Sequence, residues 1–221
     1  MGTPPGVNRG IFITLEGGEG VGKTTQAQLL GQRLERLGRK VALTREPGGT
    51  SVGEKLRDII FRPGLEPETE LLLILAARAQ LVAQVIRPAL ERGETVVCDR
   101  YSDSTVAYQG YGRGLDLAAI TAANELATGG LRPDLSILLE LPVDVGLGRK
   151  AGGTGWDSIG QESREFHERV HAGFRLLAAQ EPERWLVVDA SLPVEQVSEL
   201  IRDRVEALSV GESAGSGRAL A

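Results

Sequence analysis

The run Gly17-Gly18-Glu19-Gly20-Val21-Gly22-Lys23-Thr24 fits G-x-x-x-x-G-K-[ST]. Glycines at these spacings let the backbone curl so that successive N–H groups face phosphate oxygens. A helix starting directly afterwards adds its partial positive charge. Lys23 suits the bridge between β- and γ-phosphates, the Thr24 hydroxyl suits Mg²⁺, and Thr25 completes the cradle. The chemistry this spacing points to is binding of a nucleoside triphosphate and transfer of its γ-phosphate.

Further along, Asp99 ends an apolar run and is followed by Arg100. A carboxylate at a strand end can orient the Mg²⁺ shell or cap the next turn; both roles fit Asp99. Arg100 is a planar, permanently charged donor suited to bidentate phosphate recognition. Arg45 stands just past another apolar run, before Pro47-Gly48-Gly49-Thr50. Arg78 lies in the apolar setting Ala76-Ala77-Arg78-Ala79, where a charge needs either a substrate or a structural ion pair. Three arginines and Lys23 converging on one crevice suit two phosphate-bearing ligands better than one. Since a phosphate oxygen is already anionic, no general base is required of the acceptor side.

These residues need a scaffold, and the hydrophobic pattern supplies one. Strands are expected at Ile11–Glu16, Lys40–Thr44, Thr95–Cys98, Leu135–Leu141 and Trp185–Asp189. Helices are expected at Thr24–Leu37, Val52–Phe61, Thr69–Arg92 (broken or kinked at Pro88), Leu117–Ala127, Val143–Lys150, Glu162–Gln180 and Val194–Leu208. Tyr101–Gly114 reads as loop. Alternating strands and helices predict an α/β fold of three layers around a five-stranded parallel sheet. Residues 11–208 read as one domain with a mobile lid at about 148–160, a flexible start over 1–10 and a disordered tail over 209–221.

Composition narrows the function classes. With 41% hydrophobic residues among 221, the chain can bury one good-sized core. A formal charge of -5 gives no general attraction to nucleic acid. Cys98 is the single cysteine, which excludes an intrachain disulfide and reads as a buried reduced thiol. No stretch reads as a membrane span, and the start has no segment of signal-peptide length. The expectation is a cytoplasmic protein with no nucleic-acid or membrane partner. No N-K-x-D element of the guanine-reading switches is present, which leaves a nucleotide switch as the weaker rival to a kinase.

Thr44-Arg45-Glu46-Pro47-Gly48-Gly49-Thr50, Ala76-Ala77-Arg78, Asp99-Arg100-Tyr101, Ala107-Tyr108-Gln109-Gly110-Tyr111-Gly112-Arg113-Gly114, Arg132-Pro133-Asp134-Leu135 and Gln161-Glu162-Ser163 closely resemble the thymidylate kinase family. The likeness runs in order from about Ile11 to Leu208. It implies the P-loop nucleoside monophosphate kinase fold with a short lid, and ATP-dependent phosphorylation of dTMP to dTDP with Mg²⁺ in a homodimer. It further implies that Arg45 and Arg100 hold the acceptor phosphate and that Arg78 meets the thymine side. Pro47, Thr105, Tyr108 and Gln109 would line the rest of the acceptor pocket. Glu19 would face the acceptor from within the phosphate loop.

Two departures accompany the resemblance. The family's usual aromatic four residues before Arg78 is replaced by Ile74, which predicts looser pyrimidine selection. The lid segment Gly148–Ser158 has only Arg149 and Lys150 as basic residues. Arg149 is the expected catalytic cation, with a plain solvated role as its alternative.

Overall fold

The structure is a computed structural model that describes residues 9–151 and 159–215. Residues 152–158 of the lid expected at about 148–160, most of the expected flexible start and the end of the expected tail lie outside the described residues.

Five strands form one sheet: β1 (Phe12–Glu16), β2 (Val41–Arg45), β3 (Thr95–Asp99), β4 (Leu135–Glu140) and β5 (Trp185–Asp189). Their order is β2-β3-β1-β4-β5 and every pairing is parallel. The expected fold class therefore holds. β1, β3 and β4 are buried almost throughout because helices cover both faces of a parallel sheet. β2 and β5 are edges, and Leu43 and Val187 stay about half exposed there. Leu15 and Arg45 both pair with Asp99, so the carboxyl ends of β1, β2 and β3 share one rim. Ligands of such sheets bind outside that rim.

One face is covered by α1 (Lys23–Arg36) and α9 (Val194–Gly215). Ala27, Leu30 and Leu34 recur at helical spacing and meet Val197, Ile201 and Val205 over Ile13 and Leu15. On the other face, α3 (Pro67–Leu81) runs through a π-helical stretch, Val82–Ile86, into α4 (Arg87–Glu91). The π-helical stretch lies where Pro88 would otherwise meet the carbonyl one turn back, which is why the expected break is a widened turn and not an end. Leu81, Val82, Ile86 and Leu90 pack on Phe12, Val96 and Tyr101. The continuous helix Pro67–Glu91 has 25 residues and contains an 18-residue window with a mean hydropathy of 1.5, so by length and composition it could cross a membrane. The expectation that no stretch reaches that threshold is corrected; its inner side is part of the core.

The remaining helices are α2 (Ser51–Ile60), α5 (Ser102–Thr105) with a π-helical continuation over Val106–Gly112, α6 (Leu117–Thr128), α7 (Val143–Ala151) and α8 (Arg164–Gln180). The 102–112 stretch corrects the loop expected there. Its glycines serve close packing, not turning: a Cβ on Gly112 would sit 2.7 Å from the Phe166 ring, and one on Gly110 would sit 2.5 Å from the Leu117 side chain. α9 continues to Gly215, beyond the expected end at Leu208.

Candidate active site

A crevice of about 540 Å³ opens at the carboxyl rim of the sheet, within the size range of small-molecule sites. The phosphate loop from Glu19 to Thr25, the turn after β2, the turn after β3, α3, α5 and the end of α7 all line it. Every expected site residue except Gly17 and Gly18 contributes to this lining, and those two form the start of the loop itself.

The loop follows β1 and feeds α1 without a side-chain cap, Gly22 serving as the cap in the left-handed region at φ 92°. The first turn of α1 thus keeps its N–H groups for a ligand. Gly20 is packed so closely on α7 that a Cβ there would fall 2.0 Å from the Gly146 carbonyl. Lys23 donates to the carbonyls of Gly17 and Gly18 at 3.2 and 2.5 Å. Burial, with Arg100 nearby, pulls its ammonium down to about 8 despite Glu19, Asp99 and Glu16. Thr24 donates its hydroxyl to Asp99 Oδ2 at 2.6 Å. Hydroxyl and carboxylate therefore stand together at the end of the phosphate loop, a hard oxygen pair that fits Mg²⁺. Among the described residues no group of three or more His, Cys, Asp or Glu side chains that could hold a metal ion is present.

Opposite the loop stands Arg100. Its backbone is left-handed at φ 72°, the one described non-glycine residue with positive φ. Nη1 donates to Gly17 O at 2.9 Å, and Nη2 donates to Glu19 Oε1 at 2.8 Å and to Tyr108 Oη at 3.0 Å. The Tyr108 hydroxyl in turn donates to Glu19 Oε1 at 2.8 Å. Lys150 reaches the other Glu19 oxygen at 2.7 Å. Burial alone would raise the Glu19 carboxyl, but Arg100, Lys23 and Lys150 overcome it and hold the group ionised, well below the usual carboxylate range. Glu19 thus joins the phosphate loop, Arg100 and α7 in one charged knot.

The turn after β2 separates its roles residue by residue. Arg45 points to the crevice rim and pairs with Glu54 at 2.9 Å. Glu46 turns inward to Arg78. Thr50 caps α2 by accepting from Gly53 N at 2.9 Å. Arg78 is 1% exposed. Its Nε donates to Glu46 Oε2 at 2.7 Å, Nη1 to Thr105 Oγ1 and Asn124 Oδ1 at 2.8 and 2.6 Å, and Nη2 to Tyr101 O at 3.1 Å. Nη2 also pairs with Glu46. The structural ion pair weighed for Arg78 is present; the side chain lines the crevice while its N–H groups serve the protein. Gln109 is likewise engaged, donating to Glu70 Oε1 at 2.7 Å.

Arg149 lines the crevice, but its Nη1 donates to the Ala190 carbonyl at 3.2 Å, after β5. Lys150, weighed in the sequence only as its neighbour, is the lid cation in contact with the phosphate loop. Sequence reasoning also missed Phe61, Arg57, Ser104 and Ile159, which line the same space. The Arg57 guanidinium stacks 4.5 Å from the Phe61 ring centroid and donates to Pro47 O at 2.8 Å. Phe61, one of four phenylalanines in the chain, adds a second aromatic ring to the crevice beside Tyr108. Cys98 is buried and burial raises its thiol well above the usual range, so it is no nucleophile.

The thymidylate kinase family model matches residues 15–201. A thymidylate kinase from Pseudomonas fluorescens is 51% identical over 193 residues, 86% of this chain and 92% of that relative. One from Synechococcus sp. is 55% identical over 181 residues, 81% of this chain and 87% of that relative. The crystal structure of thymidylate kinase from Ehrlichia chaffeensis superposes with a TM-score of 0.75 at 33% identity, covering 90% of this chain and 99% of that one. Phosphate loop, Arg100 and inward-turned Glu46 thus sit in a chain that matches these proteins along nearly its whole length, and the chain belongs to the thymidylate kinase family.

Proposed function

We propose that this crevice carries out the family's reaction, ATP-dependent phosphorylation of dTMP to dTDP, with ATP on the Gly17–Thr25 side and dTMP on the Arg45–Arg100 side. The observation that carries it is the facing of Arg100 and the phosphate loop across Glu19. The loop N–H groups and Lys23 hold the donor phosphates. Thr24 and Asp99 would hold Mg²⁺, which when bound neutralises charge on the β- and γ-phosphates. Arg100 and Arg45 grip the acceptor phosphate, whose arrival takes over the Arg100 donors that Glu19 now occupies. An acceptor oxygen forms its bond to the γ-phosphorus as the bond to the β,γ-bridging oxygen breaks, which leaves ADP. Phe61, Ile74, Pro47 and Tyr108 wall the base and sugar; Arg78 holds Thr105 and the turn after β2 in place behind them.

Two further parts of the proposal rest on the surface. Leu72 and Leu126 are 65% and 87% exposed, and Ala76, Ala79 and Ala83 are exposed on the same helical run. An apolar face of this kind supports a homodimer built on α3 and α6. The reduced Cys98 and the packed inner side of Pro67–Glu91 support a cytoplasmic location.

The test is Arg100→Ala, followed by ADP release with dTMP varied at saturating ATP. Loss of one positioned donor to a developing anionic centre lowers turnover by about 10²–10³-fold, while ATP binding stays near wild type. Full dTMP-dependent activity in the variant overturns the acceptor assignment.

A further inference from the structure

Glu16 ends β1 one residue before the phosphate loop and has no place in the chemistry above. It is the sole charged residue of that strand, and it is fully buried. A buried carboxylate is costly unless its oxygens are well occupied, and both are. Oε1 accepts from the Tyr101 backbone N–H at 2.9 Å, and Oε2 accepts from the Ser104 hydroxyl at 2.5 Å. Both partners lie just downstream of Arg100, on the turn that opens α5.

That turn is the strained part of the site. A left-handed residue with a Cβ is sterically disfavoured, and such a conformation persists only where its surroundings fix it. Arg100 adopts it at φ 72°. Its Nη1 reaches Ser104 Oγ at 3.3 Å, so the hydroxyl held by Glu16 touches the guanidinium directly. The next residue after Glu16, Gly17, accepts from the same Nη1 at 2.9 Å. Two consecutive residues of the β1 end therefore fix both the backbone and the head group of Arg100.

We propose that Glu16 is a positioning residue for Arg100: it clamps the 101–104 turn so that the guanidinium faces across the phosphate loop toward the acceptor phosphate. The inference rests on the reading of Arg100 as the acceptor ligand. Burial, reinforced by Asp103, pushes the Glu16 carboxyl up to about 8, with the Ser104 hydrogen bond, Arg100 and Arg78 pulling the other way. A neutral amide of the same shape therefore suits the site, whereas a methyl group leaves the Tyr101 N–H and Ser104 hydroxyl without an acceptor.

The experiment measures KM and kcat for dTMP and for ATP in Glu16→Gln, Glu16→Ala, Arg100→Ala and the double variant Glu16→Ala/Arg100→Ala. Leaving buried donors unpaired lowers kcat/KM for dTMP by about 10–100-fold in Glu16→Ala, with the KM for ATP unchanged and Glu16→Gln restoring most of the loss. The double variant is no slower than Arg100→Ala alone, because Glu16 acts through that side chain. Wild-type dTMP kinetics in Glu16→Ala, or losses that multiply in the double variant, overturn the proposal. If Glu16→Ala does not fold, Ser104→Ala carries the test: a raised KM for dTMP supports the clamp and an unchanged one overturns it. Unchanged dTMP kinetics in Arg100→Ala would instead strike the acceptor reading itself.

Discussion

Replacing Arg78 by methionine would keep an apolar stem in the core and remove the guanidinium that ties four parts of the fold together. The variant strands the Glu46 carboxylate, 3% exposed in its side chain, along with Thr105 Oγ1, Asn124 Oδ1 and Tyr101 O. Removing one partner of a buried pair costs about 3–5 kcal/mol. For a domain of this size each kcal/mol moves the melting temperature by about 2–4 °C, so the midpoint falls by about 6–20 °C. The loss also depends on pH. Burial raises the Glu46 carboxyl above its ordinary value of 4.5 and Arg78 opposes that rise. Without Arg78 the folded state holds its proton more tightly than the unfolded chain does, so stability falls as pH climbs above 4.5. Circular dichroism melts at several pH values, with and without dTMP, measure both effects. Arg78→Met/Glu46→Gln, which removes both charges, recovers more than half of the lost stability. A single variant that loses under about 1 kcal/mol yet no longer binds dTMP would refute the reasoning and make Arg78 a ligand contact first.

The two lid cations separate in their effects. Lys150→Ala, which removes the contact to Glu19, lowers kcat by about 10²–10³-fold with little change in the KM for ATP, as single-turnover phosphorylation will show. Arg149→Ala, whose guanidinium sits on the Ala190 carbonyl, changes the KM for ATP instead; the opposite pattern reverses the assignment. Lys23 titrates near 8 in the free protein and must be charged to hold phosphate. ATP affinity measured by calorimetry therefore weakens as pH rises through about 8, and Lys23→Arg removes that dependence.

How far the sequence reached can be judged element by element. The strands were legible because parallel-sheet strands are short apolar runs ending at polar residues, and Trp185–Asp189 was read to the residue. The phosphate loop was legible because its function needs particular residues at fixed spacing. The stretch 102–112 was not, since glycines that admit a neighbouring helix look the same as glycines that make a turn. Arg149 and Lys150 are adjacent in sequence and equally basic; only the rotation of α7 sends one to Ala190 and the other to Glu19. Glu16 did carry a signal, the sole charged residue of its strand beside a phosphate loop, but its partners are more than eighty residues away along the chain.

Glu19 has one more consequence. A carboxylate already lying against Arg100 and Lys150 is an internal counter-ion, so these two cations are partly neutralised before any solute arrives. A small free anion such as inorganic phosphate must displace a tethered rival whose local concentration is far above its own. Only a ligand that adds base and sugar contacts to its phosphate exchanges favourably for that rival. At Arg100 and Lys150 a bare anion is thus at a disadvantage before any step of the reaction begins.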